Sequence, residues 1–420
     1  PLSRRRLYAT MSTIQPRVCA VHCDHRADAE QVYAALKRAT APLDAAWIKL
    51  KAAKRIGIKF NQAWLPDEMV YHEGQLLQLV SENLARATLR LLREETDAEL
   101  VCAEISVYKE DRDPDPGPTI PFLSMLREFD VAFVDGNLPP TRMYDVPGGG
   151  QMFRQYALPQ GAMDVDAFVS VQKLKNHAFM GVTLCLKNLF GLVPQEPQGR
   201  ARQYYHHLVR MPYMLADLGR LFDPALNILD ALVSQAGREW HGGEPRVTDT
   251  LIAGDQVIAT DACATYLMGH DPQSDWLTPP FHRDRNALLV AAEGGFGTVD
   301  LNEIDFQSEV QAPLGHFFTT MTDSVETVVE WRRTTAQQAL YYLEHRRELV
   351  DRYAGEYILL QDGEVIWHDT TSELGVSRRE LARDRHRRAM WLKYVDPDKA
   401  EGEHFEVYER ALEQIENAGL

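Results

Sequence analysis

The chain has 420 residues, 45% hydrophobic and 25% charged, with a net charge of −16 and a mean hydropathy of −0.33. That is ordinary globular composition, enough for roughly two or three domains. No stretch approaches the ~18 apolar residues of a membrane span, and the acidic balance argues against a general nucleic-acid binder, which needs a broad basic face.

In chain order, Val18–His22 reads as a strand and Asp28–Arg38 as a helix. Arg55–Phe60 alternates like a strand and runs into a polar turn at Asn61. Gln75–Glu95 carries an apolar stripe and reads as the clearest helix. Glu99–Val107 follows as a strand. Asp111–Pro118 reads as a surface loop, since proline removes a donor and disfavours helix before it. Val131–Val134 and Ala167–Val171 read as strands, with a flexible loop through Pro147-Gly148-Gly149-Gly150 between them. Val182–Phe190 and Met211–Phe222 read as helices, Leu226–Leu229 and Thr250–Ala253 as strands, and Val257–Met268 as a helix. Strands alternating with helices predict an α/β fold, a mostly parallel sheet flanked by helices, over residues 15–310. Beyond it, Ser324–Glu348 reads as a long helix. Glu356–His368 reads as a hairpin about Asp362-Gly363, and Ser377–Arg388 as a charged helix. Residues 325–420 are therefore expected as a small appended α+β domain.

Cys19, Cys23, Cys102, Cys185 and Cys263 are scattered and odd in number, which reads as reduced thiols in a cytoplasmic protein. No CxxCxxC run offers iron–sulfur ligation within this chain. The basic start of the chain lacks the apolar segment of a secretory signal, and Met11 reads as an initiator.

The richest segment is 171–194, VQKLKNHAFMGVTLCLKNLFGLVP. Lys173, Lys175 and His177 alternate at strand spacing and so point the same way. They fall between a strand and a helix, at the carboxyl edge of a parallel sheet, where ligands bind. With Lys187 they form a cationic patch suited to phosphate or carboxylate, whereas an isolated KxK is commonly a solvated edge. Lys59 and Asn61 sit at a second strand exit, where an Asx turn is the simpler explanation of Asn61. Asp230, at a strand end, and Glu244, in a Gly-rich loop with His241, are candidate divalent-cation ligands. Asp255 reads as a turn residue and Asp261 as a sheet anchor. Cys19, His22, Cys23 and His25 fit no standard zinc spacing. The loop through Arg200, Arg202 and the 203–210 stretch reads as a mobile surface loop, or as a lid over an anion.

These segments resemble the family catalogued as domain of unknown function 362. The match is carried by IGIKFN at 56–61, KLKNHAFMGVTLCLKNLFGLVP at 173–194, ILDALVSQAG at 228–237 and IAGDQVIATDACATYLMG at 252–269. It spans about residues 15–300. The chain departs from the family pattern at Lys59-Phe60-Asn61, where Lys-Pro-Asn is usual, and in the Gly-rich stretch after Asp230. The resemblance implies an α/β fold and a cytoplasmic protein, and supplies no reaction. Some members carry a ferredoxin-type module, which implies redox work.

Together these readings lead us to expect an enzyme or binding protein for a small anionic metabolite, with no nucleic-acid or membrane partner and with room for a homo-oligomer. Lys59, Asn61, Lys173, Lys187 and Asn188 would bind the anion. His177 would transfer a proton or coordinate a metal, Lys175 would share in the catalysis, and Asp230 and Glu244 would hold a divalent metal if one is used. Racemisation or isomerisation would need a second base opposite His177, for which His241 is the candidate. The alternatives are a redox or metallocluster-maturation protein whose partner carries the iron–sulfur cluster, and a non-enzymatic assembly protein acting through the C-terminal appendage.

Overall fold

The computed structural model describes residues 15–106, 119–195, 202–239, 242–372, 374, 377–385, 388–397 and 401–420. The expected loop at 111–118, Arg200 and His241 lie outside the described residues.

The body is a nine-stranded sheet. Its strands are β1 (Arg17–His22), β2 (Arg55–Phe60), β3 (Glu99–Glu104), β4 (Ala132–Asp135), β5 (Ala167–His177), β6 (Gly181–Thr183), β7 (Leu226–Gly237), β8 (Gly243–Gly254) and β9 (Asp305–Ser308). Their spatial order is β9-β1-β8-β7-β5-β2-β3-β4, with β6 on β5. The stretch β7-β5-β2-β3-β4 is parallel throughout. Strand β8 enters antiparallel between β1 and β7. The sheet is thus mixed and mostly parallel.

Helices cover both faces. One core holds Ile56, Ile58, Phe60, Val169 and Val171 with side chains of α1 (Ala29–Thr40) and α2 (Glu82–Glu95). Asp28 starts α1 through a capping box with Gln31, which satisfies amides the first helical turn leaves open. The other core holds Phe168 and Leu174 with α3 (Cys185–Asn188), α4 (Arg210–Phe222), α5 (Val257–Leu267) and α6 (Ala287–Glu293).

Four expectations need correction. The helix read over 182–190 begins only at Cys185, because Gly181–Thr183 pairs back on β5 as β6. The apolar stripe from residue 75 is not one helix. Gln75–Leu76 pairs with Tyr71–His72 as a two-stranded ribbon, and α2 begins only at Glu82. The intervening backbone is held by distant partners. Val80 N–H donates to the Asn61 carbonyl at 3.0 Å and Ser81 N–H to Asp230 at 2.6 Å. Strands β5 and β7 run far past the apolar runs that predicted them, to His177 and Gly237. The loop around the 148–150 glycines is bounded by paired strands at Thr141–Asp145 and Gln155–Pro159.

The C-terminal segment forms helix α7 (Val325–Glu344), a three-stranded antiparallel sheet of Tyr357–Gln361, Glu364–Asp369 and Trp391–Tyr394, and α8 (Glu406–Asn417). Ser324 caps α7 by accepting from Thr327 N–H at 3.3 Å, and Gly363 sits in the hairpin turn with φ +77°. This segment shares one hydrophobic core with the body. Tyr342, Tyr357, Trp391 and Tyr408 belong to the same cluster as Phe153, Tyr204 and Met211. Two buried ion pairs cross the same boundary. Arg332 on α7 pairs with Asp284. Glu403 accepts from Arg210 at 2.8 Å, Lys393 at 2.7 Å and Tyr408 at 2.5 Å. Removing one partner of a buried pair strands the others in a low dielectric. We predict that Glu403→Gln lowers stability by about 3–5 kcal/mol in urea unfolding; a loss below ~1 kcal/mol would show that this carboxylate does not anchor the segment.

Candidate functional site

The sheet opens at its carboxyl edge. After the Phe60–Val171 pair, residues 172–177 of β5 continue without β2. On the other side, pairing with β7 jumps from Asp230–Lys173 to Gln235–Lys175. Strand β7 bulges there before the pairing resumes, and β5 turns back through β6, with Gly181 opposite His177. Gly181 has φ +78°, and a Cβ on it would sit 2.7 Å from the Phe281 ring. This carboxyl edge, where β5 outruns β2 and β7 bulges, is the side on which open α/β sheets bind ligands.

The lysines read from the sequence do not share one role. Ile58 and Phe60 belong to the α1–α2 core, so the alternation of β2 sends Lys59 to the opposite face. There its Nζ donates to Glu104 at 2.7 Å, to the Phe60 carbonyl at 2.7 Å and to Asn188 Oδ1 at 3.3 Å. All three ammonium protons are used. Asn188 is equally committed, its amide donating to the Lys59 carbonyl at 3.0 Å and Ser170 Oγ at 3.0 Å. The chain passes closely over Lys59 at Gly191, where a Cβ would lie 2.8 Å from Lys59 Cε. Lys173 follows the phase of Val169 and Val171 onto the α1–α2 side. It pairs with Asp230 at 3.0 Å, both side chains fully buried. Lys59, Lys173 and Asn188 therefore hold the strand ends together.

The metal pair is also corrected. Asp230 accepts from Ser81 and Leu232 amides besides meeting Lys173. Glu244 pairs with Arg246 at 2.7 Å and lies opposite Ala236, whereas Asp230 lies opposite Leu251. At ~3.3 Å per strand residue the two carboxylates are roughly 20 Å apart and cannot share an ion. The described residues whose ligand atoms do converge are Asp24, His25 and Asp249, within 4.8 Å of one another. His25 Nδ1 meets Asp249 at 2.7 Å and Nε2 meets Glu73 at 3.0 Å, so its imidazole is already spanned by carboxylates. All five cysteines are buried and unbridged.

Five titratable groups, Lys175, Lys187, Arg202, His177 and Glu239, are electrostatic neighbours at this end of β5. Lys175 Nζ donates to the Gln78 carbonyl at 2.7 Å and to Asn61 Oδ1 at 3.3 Å. Burial, reinforced by repulsion from Lys187, Lys173 and Lys59, lowers its pKa to about 7. Lys187 on α3 is lowered to about 7 by burial and by Arg202. Its Nζ stands 4.8 Å from the Phe190 ring centroid, and Arg202 stands 4.6 Å from the same ring. Neither cation has a carboxylate within ion-pair distance among the described residues. His177 Nδ1 accepts from the Phe179 and Met180 amides, both at 3.1 Å. Two donors on Nδ1 place the proton of the neutral ring on Nε2. Burial and the neighbouring cations, Lys187 first, push its pKa well below the usual histidine range. Glu239, at the end of β7, accepts from Ala178 N–H at 2.5 Å and lies 3.7 Å from His177 Nδ1.

Asp261 positions this edge without facing it. Its two oxygens accept from Cys185 N–H at 3.0 Å and Leu186 N–H at 2.7 Å. It thus caps α3, the helix that carries Lys187. Burial pushes its pKa up to about 8.

Sequence reasoning missed Glu239 and the pairing of Arg202 with Lys187. Glu239 follows Gly237, whose φ of +84° ends the strand; a carboxylate just past such a glycine is a signal, but β7 had been read as ending near Leu229. Two outcomes test the electrostatics. Asp230→Asn is predicted to cost about 3–5 kcal/mol, because it leaves Lys173 buried without its counter-charge; unchanged denaturant unfolding would contradict a structural pair. Nitrogen-15 NMR of His177 is predicted to show a neutral, Nε2-protonated ring at pH 6, and a cationic ring there would contradict the arrangement.

Comparison with known proteins agrees with the sequence pattern. The family model Domain of unknown function (DUF362) matches residues 69–266, leaving the 56–61 motif and the C-terminal segment outside the match. Thylakoid-associated protein sll1697 of Synechocystis sp. is 32% identical over 157 residues, 34% of this chain and 48% of that protein. The chain thus spans about half the length of this curated relative. No helix among the described residues is long and apolar enough to cross a membrane. The resemblance read from the sequence is shown over the matched segment: the chain carries a DUF362 domain at residues 69–266.

Proposed function

We propose that the opening at the end of β5 binds a small metabolite through a phosphate or carboxylate group. The observation that carries this reading is the pair Lys187 and Arg202, two cations set on one phenyl ring with no carboxylate in ion-pair reach among the described residues, Glu239 and Glu104 acting on them only at longer range. A half-buried cation without a counter-charge is costly, and an arriving anion offsets that cost. An anionic ligand also draws electrostatic benefit from the reduced dielectric of such a cleft.

Within this reading, Lys175 is the group assigned to proton transfer. A pKa of about 7 leaves it divided between acid and base at neutral pH, the condition general acid–base chemistry favours. His177 offers a neutral Nε2–H and serves as a hydrogen-bond donor toward a ligand oxygen, while Glu239 fixes the turn behind it. Lys59, Lys173 and Asn188 act through the walls. Proton transfer at carbon, as in an isomerase or racemase, is the reaction class this set suits. The five buried thiols support a reducing, cytoplasmic setting. The relative's printed name associates that protein with thylakoids.

The sign of the pH dependence follows from the depressed lysines. Both carry charge below about 7 and lose it above, so affinity for an anion of fixed charge such as sulfate falls as pH rises from 6 to 8.5, and the pH series is run with sulfate. Inorganic phosphate is the probe for the variants. At ~100 times its Kd it should stabilise the protein by ~2.7 kcal/mol, read as a thermal shift at pH 6. Lys187→Ala and Arg202→Ala are each predicted to remove most of that shift. Equal shifts in wild type and both variants, or sulfate affinity that rises with pH, would overturn the proposal.

A further inference from the structure

Beside the anion-binding opening lies a cleft of about 470 Å³, within the ~300–1,000 Å³ typical of small-molecule pockets. One wall comes from the body, through Phe179, His206 and Arg283. The other comes from the C-terminal segment, through Trp331, Arg388 and Met390. The cleft adjoins the opening directly. Phe179 follows His177 by two residues. The His206 ring lies 5.0 Å from Phe179 and 5.8 Å from Phe190, the ring that carries Lys187 and Arg202.

The walls are flat and π-rich. Arg283 stands 5.0 Å from the Phe179 centroid and 5.6 Å from Trp331, and Asp323 holds it at 3.0 Å. Arg388 is held by Asp362 and by Glu330. Both guanidinium groups thus have their charge matched and their planes fixed, so what they offer an incoming group is a planar face. Aromatic rings and guanidinium planes favour flat π-systems over branched aliphatic groups of equal volume.

We propose that this cleft receives a planar aromatic or heteroaromatic ring borne by the same ligand whose anionic group meets Lys187 and Arg202. The inference rests on the anion-binding reading and adds the substrate class: a small aryl anion. It also gives the C-terminal segment a role, since that segment supplies one of the two walls and selects for the ring.

The test compares 1-naphthyl phosphate with inorganic phosphate by calorimetric titration of the full chain at pH 6. The aryl ester is expected to bind about tenfold tighter or better, because its ring leaves water. Trp331→Leu is expected to abolish that preference and leave inorganic phosphate affinity as it was. Ala389→Trp, which fills the cleft from the C-terminal wall and removes no contact, is expected to do the same and covers the case in which the Trp331 variant fails to fold. If inorganic phosphate binds in a Lys187-dependent way but the aryl ester binds no tighter, or its preference survives Ala389→Trp, the cleft assignment is overturned while the anion site stands. If Lys187→Ala leaves the binding of both probes unchanged, the anion reading falls and this inference with it.

Discussion

Positive charge buried at the end of one strand layer is the constraint on which the site depends. Taking an ammonium group out of water costs several kcal/mol unless a partner replaces the solvent. At this edge the chain meets that requirement in two ways. Lys59 with Glu104 and Lys173 with Asp230 are matched pairs on opposite faces of the sheet, and they bind β2, β3, β5 and β7 near the carboxyl edge of the layer. Among the described residues, Lys187 and Arg202 have no such carboxylate partner. The same physics that makes the first pairs structural is the ground on which we propose the second pair as a place for a ligand's charge.

Much of the fold could be read from the pattern of residues, and the reasons for the failures are physical. Alternation within β5 correctly put Lys173 and Lys175 in one phase. Alternation says nothing about how the phase of one strand relates to that of its neighbour, so Lys59 was grouped with lysines that lie across the sheet. The stripe from residue 75 has helical spacing, yet Val80 and Ser81 spend their amides on Asn61 and Asp230. Long-range hydrogen bonds there override local periodicity. Asp230 was legible as an important strand-end carboxylate, but its partner Lys173 stands 57 positions earlier in the chain, and only the register of β5 against β7 brings them together. Arg202, Glu239, Arg283 and Trp331 come from four separate segments, and no local spacing links them.

The C-terminal segment illustrates the same point. Its hairpin and long helix are evident from composition and turn chemistry. Its burial is not, because Arg332, Lys393 and Glu403 look like surface charges in the sequence and are fully or almost fully buried in the structure. Their mutual pairing and their contacts with Asp284 and Arg210 join the segment to the body through charge as well as through the shared aromatic cluster. A wall of the cleft is thereby fixed relative to the anion site by interactions that tolerate little displacement.

The central claim is that burial depresses the lysines of this edge and that an anion answers Lys187, which has no carboxylate in ion-pair reach among the described residues. It is tested most directly by NMR titration of ε-labelled lysines, assigned with Lys175→Arg and Lys187→Arg, with and without phosphate. The account predicts midpoints near 7 for both residues, moving upward when phosphate is present. Midpoints at the ordinary value of 10.5, indifferent to phosphate, would contradict it.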